Sequence, residues 1–246
     1  MSKTGLVSIS FRKHTTKEIL EACKKAGLSL IEWGSDVHAP VGDIECAREL
    51  YRLGEEYGVR CASYGTYFRL GVTPISELDS YIETAKALGT DVLRLWCGDK
   101  NYEDYSDAER DELVEVCTRA AKIAENAGVT LCLECHNNTY TNRLCGALYL
   151  MERVNSSAFR MYWQPNQYRT LEENLEYAEK IAKYTLHIHV FNWEGDKKYP
   201  LADGACVWKA YLEKFEGEHA LLLEFMPDGE ISSLNREAEA LRRIIE

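Results

Sequence analysis

Three segments of this chain set acidic or imidazole side chains among apolar neighbours. They are Leu133-Glu134-Cys135-His136, Leu186-His187-Ile188-His189-Val190 and Leu222-Leu223-Glu224-Phe225. In an extended strand, successive side chains point to opposite faces. Glu134 and His136 then oppose Leu131, Leu133 and Cys135; His187 and His189 oppose Leu186, Ile188 and Val190; Glu224 opposes Leu221, Leu223 and Phe225. A carboxylate turned into a core is costly unless it pairs, takes a proton or meets a cation. Two glutamates and a histidine converging from three strands make a donor set for a hard-to-borderline divalent cation. Taken singly, each residue has a structural alternative: a strand Glu is often an ion-pair partner, and Arg94 is a candidate to neutralise one. Ser8, Ser10, Glu32, Arg94, Trp96, Tyr162 and Gln164 fall on the same inward parity of their own strands.

Strands that expose chemistry at one end need a scaffold that gathers their ends. Short apolar runs at 5–10, 29–33, 59–64, 91–97, 129–135, 159–164, 185–191 and 220–225 alternate with amphipathic stretches whose apolar residues recur at three and four spacing, as in Ile19, Leu20, Cys23 and Ala26. Gly27, Gly58, Gly89 and Gly128 each fall just before a strand, where a helix ends; Thr15–Thr16, Pro74 with Ser76, and Ser106–Asp107 read as helix starts. Eight strands, each followed by a helix, predict one α/β domain over residues 1–246, a single (β/α)₈ TIM barrel with its active site at the C-terminal strand ends. An open doubly wound sheet would want a glycine-rich phosphate loop after its first strand. This chain has Phe11-Arg12-Lys13-His14 there instead.

Composition narrows the function. A net charge of −11 disfavours nucleic acid and suits a small neutral or metal-chelated substrate. Nine cysteines, an odd number in a long chain, point to reduced thiols and a cytoplasmic location. Cys132 and Cys135 form a C-x-x-C, but positions three apart on a strand face opposite ways, so they are not expected to share a metal or a disulfide. The N-terminal residues lack the apolar run of a signal peptide, and no segment is long and apolar enough for a bilayer. Apolar rim residues suggest a homodimer.

With Leu133-Glu134-Cys135-His136-Asn137-Asn138, the His187/His189 strand, the Glu224 strand and Ile31-Glu32-Trp33-Gly34, the chain resembles the xylose isomerase-like barrel superfamily. That group includes sugar phosphate isomerases, ketose 3-epimerases, hydroxypyruvate isomerases, inosose dehydratases and endonuclease IV. The resemblance implies a divalent metal site (manganese, zinc, magnesium or cobalt) held by Glu134, Gln164, His189 and Glu224. Gln164 stands where the family has an Asp, and Gln167 where epimerases often carry a substrate-binding His; the first lowers the charge of the site. Endonuclease IV needs further histidines where this chain offers Glu32, Trp33, Ser63 and Tyr64.

The expected activity is sugar or sugar phosphate isomerisation or epimerisation through an enediolate, with Glu134 and Glu224 as the paired acid and base. His189 is expected to be a ligand whose second nitrogen is held by a neighbour, with His136 a candidate for that neighbour, for a substrate contact or for a proton shuttle; His187 is expected to be structural. The substrate-binding candidates are His136, Gln167, Arg94, Trp96, Tyr64 and Trp193. Tyr67, Phe68, Trp163 and Phe191 extend the aromatic rim, and Arg12, Arg69, Lys197 and Lys198 are candidates for holding an acidic group. The competing expectations are a metal-dependent dehydratase or lyase on a polyol or keto-sugar, and a catalytically silent sugar-binding barrel.

Overall fold

Eight parallel strands close on themselves in the computed structural model, which describes residues 3–246. Met1 and Ser2, the start of the expected domain and of the stretch read for a signal peptide, lie outside the described residues. The strands are β1 (Lys3–Val7), β2 (Leu30–Gly34), β3 (Arg60–Leu70), β4 (Val92–Cys97), β5 (Thr130–Glu134), β6 (Phe159–Trp163), β7 (Thr185–Val190) and β8 (Ala220–Leu223). They alternate with α1 (Thr16–Lys25), α2 (Ile44–Tyr57), α3 (Leu78–Ala87), α4 (Asp107–Ala127), α5 (Leu144–Val154), α6 (Leu171–Ile181), α7 (Ala205–Leu212) and α8 (Leu234–Ile245). Each strand pairs with its chain neighbours, and β1 meets β8 to shut the barrel. Local chemistry fixes the helix ends. Thr15 with Glu18 and Ser106 with Glu109 form reciprocal capping boxes, while Gly58 and Gly128 end α2 and α4 at φ 72° and 69°. The start expected at Pro74 is a short 3₁₀ turn, Ile75–Glu77, leading into α3.

Two apolar layers separate cleanly. Leu131, Leu133, Cys135, Ile188, Val190, Leu221 and Leu223 pack outward under the helices. Val7, Leu30, Val92, Cys132, Tyr162, Ala220 and Leu222 fill the barrel interior. Cys132 and Cys135 thus face opposite ways, and all nine cysteines are free thiols. Three strand expectations need correction. Phe225, expected outward with Leu221 and Leu223, turns at φ 52° and packs against the interior cluster. Residues 8–11 form a 3₁₀ turn, not the end of β1, because the Ser8 hydroxyl accepts the Gly34 N–H at 2.9 Å. Leu186 packs with the interior cluster, since the β6–β7 register slips between Met161 and Tyr162 and shifts that residue's face.

The interior is tight low in the barrel. A Cβ on Gly5 would lie 2.5 Å from the Leu30 carbonyl oxygen and 2.6 Å from Leu222 Cδ2. Backbone cannot give way as a flexible side chain can, so Gly5→Ala should lower the unfolding free energy by about 1–3 kcal/mol. A denaturant midpoint equal to that of the parent would contradict this packing.

Candidate active site

The C-terminal ends of the strands surround a cavity of about 190 Å³. Glu134 lines it as the last residue of β5 and Glu224 one residue beyond β8, while His189 of β7 lies fully buried against both. All three are buried, and their donor atoms lie within 4.8 Å of one another. His189 Nδ1 is the hub. It stands 3.4 Å from Glu134 Oε1, 3.7 Å from Glu224 Oε2 and 3.0 Å from Gln164 Oε1. Gln164 is held in turn, its amide N–H donating to the Cys135 carbonyl at 3.2 Å.

The two glutamates sit in different surroundings. Glu134 Oε2 accepts the Trp96 indole N–H at 2.5 Å and meets Arg94 Nη1 at 3.1 Å. Burial pushes its carboxyl up, but Arg94 and His189 outweigh that and hold it well below the usual carboxylate range. For Glu224 burial dominates. It and the neighbouring Glu134 charge leave the carboxyl raised to about 7, although His189 and Arg94 pull the other way. Burial disfavours an imidazolium at His189, but Glu224, Glu32 and Glu134 around it raise it to about 10. Phe225, directly after Glu224, takes φ 52°, and its N–H donates to Ser10 Oγ at 2.8 Å. A left-handed non-glycine residue at the catalytic end of a strand is local strain that the surrounding contacts hold in place.

A divalent cation fits these residues. Ligands at about 2.0–2.2 Å from one ion stand roughly 3–4 Å from each other, and the Nδ1 distances fall in that range. Three buried carboxylates, Glu32, Glu134 and Glu224, face the Arg94 guanidinium and the His189 imidazolium, and a cation held at Nδ1 would take the place of that imidazole's second proton. Glu134, His189 and Glu224 would be the ligands, with the Gln164 amide oxygen as an uncharged fourth.

Of the residues expected around the substrate, Arg94, Trp96, His136, Gln167 and Trp193 line the cavity, as do Arg12, Tyr67 and Phe191. Trp96 and His136 stack at 4.7 Å. Phe191, Trp193 and Phe225 form a facing aromatic wall at 5.1 and 5.3 Å spacings. Tyr64 does not reach the cavity. It points outward from β3 into the helix-covered core, where its hydroxyl donates to the Ala39 carbonyl at 2.7 Å. Phe68 and Trp163 also pack in that outer layer. Arg12 is tied to Asp36 at 2.5 Å, and Arg69 lies over the Trp96 ring, donating to two backbone carbonyls. The partner of the second His189 nitrogen is Glu32, 3.4 Å from Nε2, and not His136, whose Nδ1 meets the Asn137 carbonyl. The sequence marks Glu32 as an inward acidic residue within a segment of the family resemblance, without this role. Its solitary charge in the run Leu30–Gly34 was the available signal.

The cavity also holds an orphan. Trp193 Nε1 is buried without a hydrogen-bond partner among the described residues. An unsatisfied buried N–H is costly.

Among the described residues, no helix is long and apolar enough to cross a membrane. No match was found among curated proteins. Solved structures of the same architecture include the probable 3-DHS dehydratase AsbF of Bacillus anthracis, at TM-score 0.82, 17% identity and coverage of 98% of this chain and 99% of that one. An L-ribulose 3-epimerase aligns at TM-score 0.73 and 15% identity, covering 100% of this chain and 93% of that one. The D-psicose 3-epimerase of Clostridium cellulolyticum H10, solved with D-tagatose, gives 0.71 and 16%, covering 99% of both chains. At these identities the likeness carries the fold alone. Residues 20–245 match the family described as xylose isomerase-like TIM barrel. With the closed parallel barrel already traced, this match establishes that the chain belongs to the xylose isomerase-like TIM-barrel family.

Proposed function

We propose that the chain is an enzyme that moves a proton at the carbon beside a carbonyl in a small polyol-like substrate, a sugar or sugar phosphate isomerase or epimerase. One observation carries this reading: two buried carboxylates in unlike surroundings, Glu134 held by Trp96 and Arg94 and Glu224 without such partners among the described residues, flank one imidazole at 3.4 and 3.7 Å. Groups whose surroundings drive their proton affinities apart are suited to paired acid–base work. Lewis-acid polarisation of the substrate carbonyl is the chemistry that a bound divalent cation would supply. Glu134, fixed by Trp96 and Arg94, has a set direction from which to take or return a proton. Glu224, beside the same imidazole, is placed to hold or release the second. The aromatic wall of Phe191, Trp193 and Phe225 suits the apolar face of a sugar, and Gln167, Asn137 and Asn166 offer amides to its hydroxyls.

The test is a panel of free and phosphorylated aldoses and ketoses incubated with the manganese-loaded protein in D₂O. We expect deuterium at the α-carbon of at least one substrate, with an isomeric product. No exchange across the panel would sink the reading. A dehydratase is the second reading, favoured by His136, which lines the cavity two residues from Glu134 and could protonate a leaving hydroxyl. A product lighter by one water would select it.

A further inference from the structure

Beneath the cavity lies a carboxylate that the proton-transfer scheme does not use. We propose that Glu32 is a positioning residue: it sets which nitrogen of His189 faces Glu134 and Glu224, and it aims Arg94 at Glu134. In its consequence for catalysis this rests on the proposed function above.

Glu32 is fully buried, and both its oxygens are committed. Oε1 accepts Arg94 Nε at 3.2 Å; Oε2 accepts the Ser63 hydroxyl at 2.7 Å and lies 3.4 Å from His189 Nε2. Ser63 Oγ is itself 3.1 Å from the Tyr162 hydroxyl. An ionised carboxylate only accepts hydrogen bonds, so its contact with Nε2 requires a proton on that nitrogen. Nδ1 is then the atom turned to Glu134, Gln164 and Glu224. On the other side, the guanidinium held at Nε extends Nη1 to Glu134 at 3.1 Å and to the Thr66 carbonyl at 3.1 Å. One buried group therefore orients both the imidazole and the cation that pins Glu134.

Strand β3 is shaped around this residue. The β2–β3 register slips between Ile31 and Glu32, which sets Ser63 opposite Glu32. Two residues on, Gly65 leaves room for the pair. A Cβ there would lie 2.5 Å from Glu32 Oε1 and 2.9 Å from Arg94 Nη2. A glycine inside a strand often marks such a close approach. Slip, hydroxyl and glycine are three separate features of β3 that converge on one carboxylate.

The test compares the full-length protein with Glu32→Gln. Carboxylates that orient metal-binding histidines typically account for 10–100-fold in metal affinity, so cobalt(II) affinity should fall by about that factor. In metal-free, histidine-¹⁵N-labelled protein, His189 should show a slowly exchanging, downfield Nε2–H resonance that Glu32→Gln moves upfield, because an amide oxygen accepts more weakly than a carboxylate, and that a purely packing role would leave unmoved. A resonance that does not move, or cobalt affinity within twofold of the parent, overturns the proposal. Should Glu32→Gln fail to fold, Ser63→Ala decides. Freeing one carboxylate oxygen should shift the same resonance, and an unchanged spectrum overturns the proposal. A parent protein that binds no cobalt sinks the metal part of the proposed function, and the resonance alone then decides here.

Discussion

Glu224→Gln should slow proton exchange at the substrate's α-carbon by about 10²–10⁴-fold, the range that a positioned acid or base supplies, while the fold survives. The amide copies the carboxylate's shape but cannot carry the proton. The fold should tolerate the change because the only contact described for the Glu224 side chain is the 3.7 Å approach to His189, whereas Glu134 is tied to both Trp96 and Arg94. Stability gives a second readout. The folded-state value of Glu224, about 7, lies above the ordinary 4.5, so between those values the native state holds the extra proton. Stability then falls as pH rises through that window. In chelator-treated protein, Glu224→Gln should lack this loss and be more stable than the parent at pH 8, by on the order of 1–3 kcal/mol. Undiminished exchange in the variant removes Glu224 from the chemistry. Parallel stability–pH curves for parent and variant contradict its raised proton affinity.

The contrast between the two glutamates could not be read from the sequence, although the residues themselves could. Alternation within β5 and β7 and around Glu224 showed which side chains turn inward, because one face of each strand must meet the helices and is uniformly apolar. That argument needs only local spacing. It failed where the spacing failed: at Leu186, displaced by the β6–β7 slip, at Phe225, turned inward by its positive φ, and at Ser8–Phe11, where a side-chain hydrogen bond replaced strand pairing. It also could not place Tyr64, because a tyrosine serves equally well with its hydroxyl on a buried carbonyl or in a cavity; here Ala39 takes it. Glu32 was harder still. Its partners Ser63, Arg94 and His189 lie 31, 62 and 157 residues away, and only barrel closure brings them together. Gln164 keeps its expected place beside His189, with its oxygen toward Nδ1.

Replacing Arg94 by Met should cost the largest share of stability of any single change at this site. Arg94 is 3% exposed and bridges Glu32 and Glu134, themselves 0% and 3% exposed. Methionine keeps much of the aliphatic length but leaves two buried carboxylates to share the single His189 imidazolium. Breaking a buried pair from one side typically costs about 3–5 kcal/mol, because the stranded charge is the penalty. The cost must depend on pH. In the parent, burial would raise Glu32, but Arg94 and His189 hold it at about 2, below its ordinary 4.5. A carboxylate with a depressed native value contributes stability that is present above 4.5 and lost as pH falls toward 2. Arg94→Met removes much of that depression, so its deficit should be full at pH 7 and shrink below about pH 4, where both glutamates can take up protons. Adding Glu32→Gln should recover part of the loss at pH 7, since a neutral amide needs no counter-ion, and the double-mutant cycle then isolates the pair. A deficit below about 1 kcal/mol at pH 7 would mean that water or backbone dipoles already solvate these carboxylates. A deficit that does not change with pH would mean that the arginine acts through its packing and not its charge.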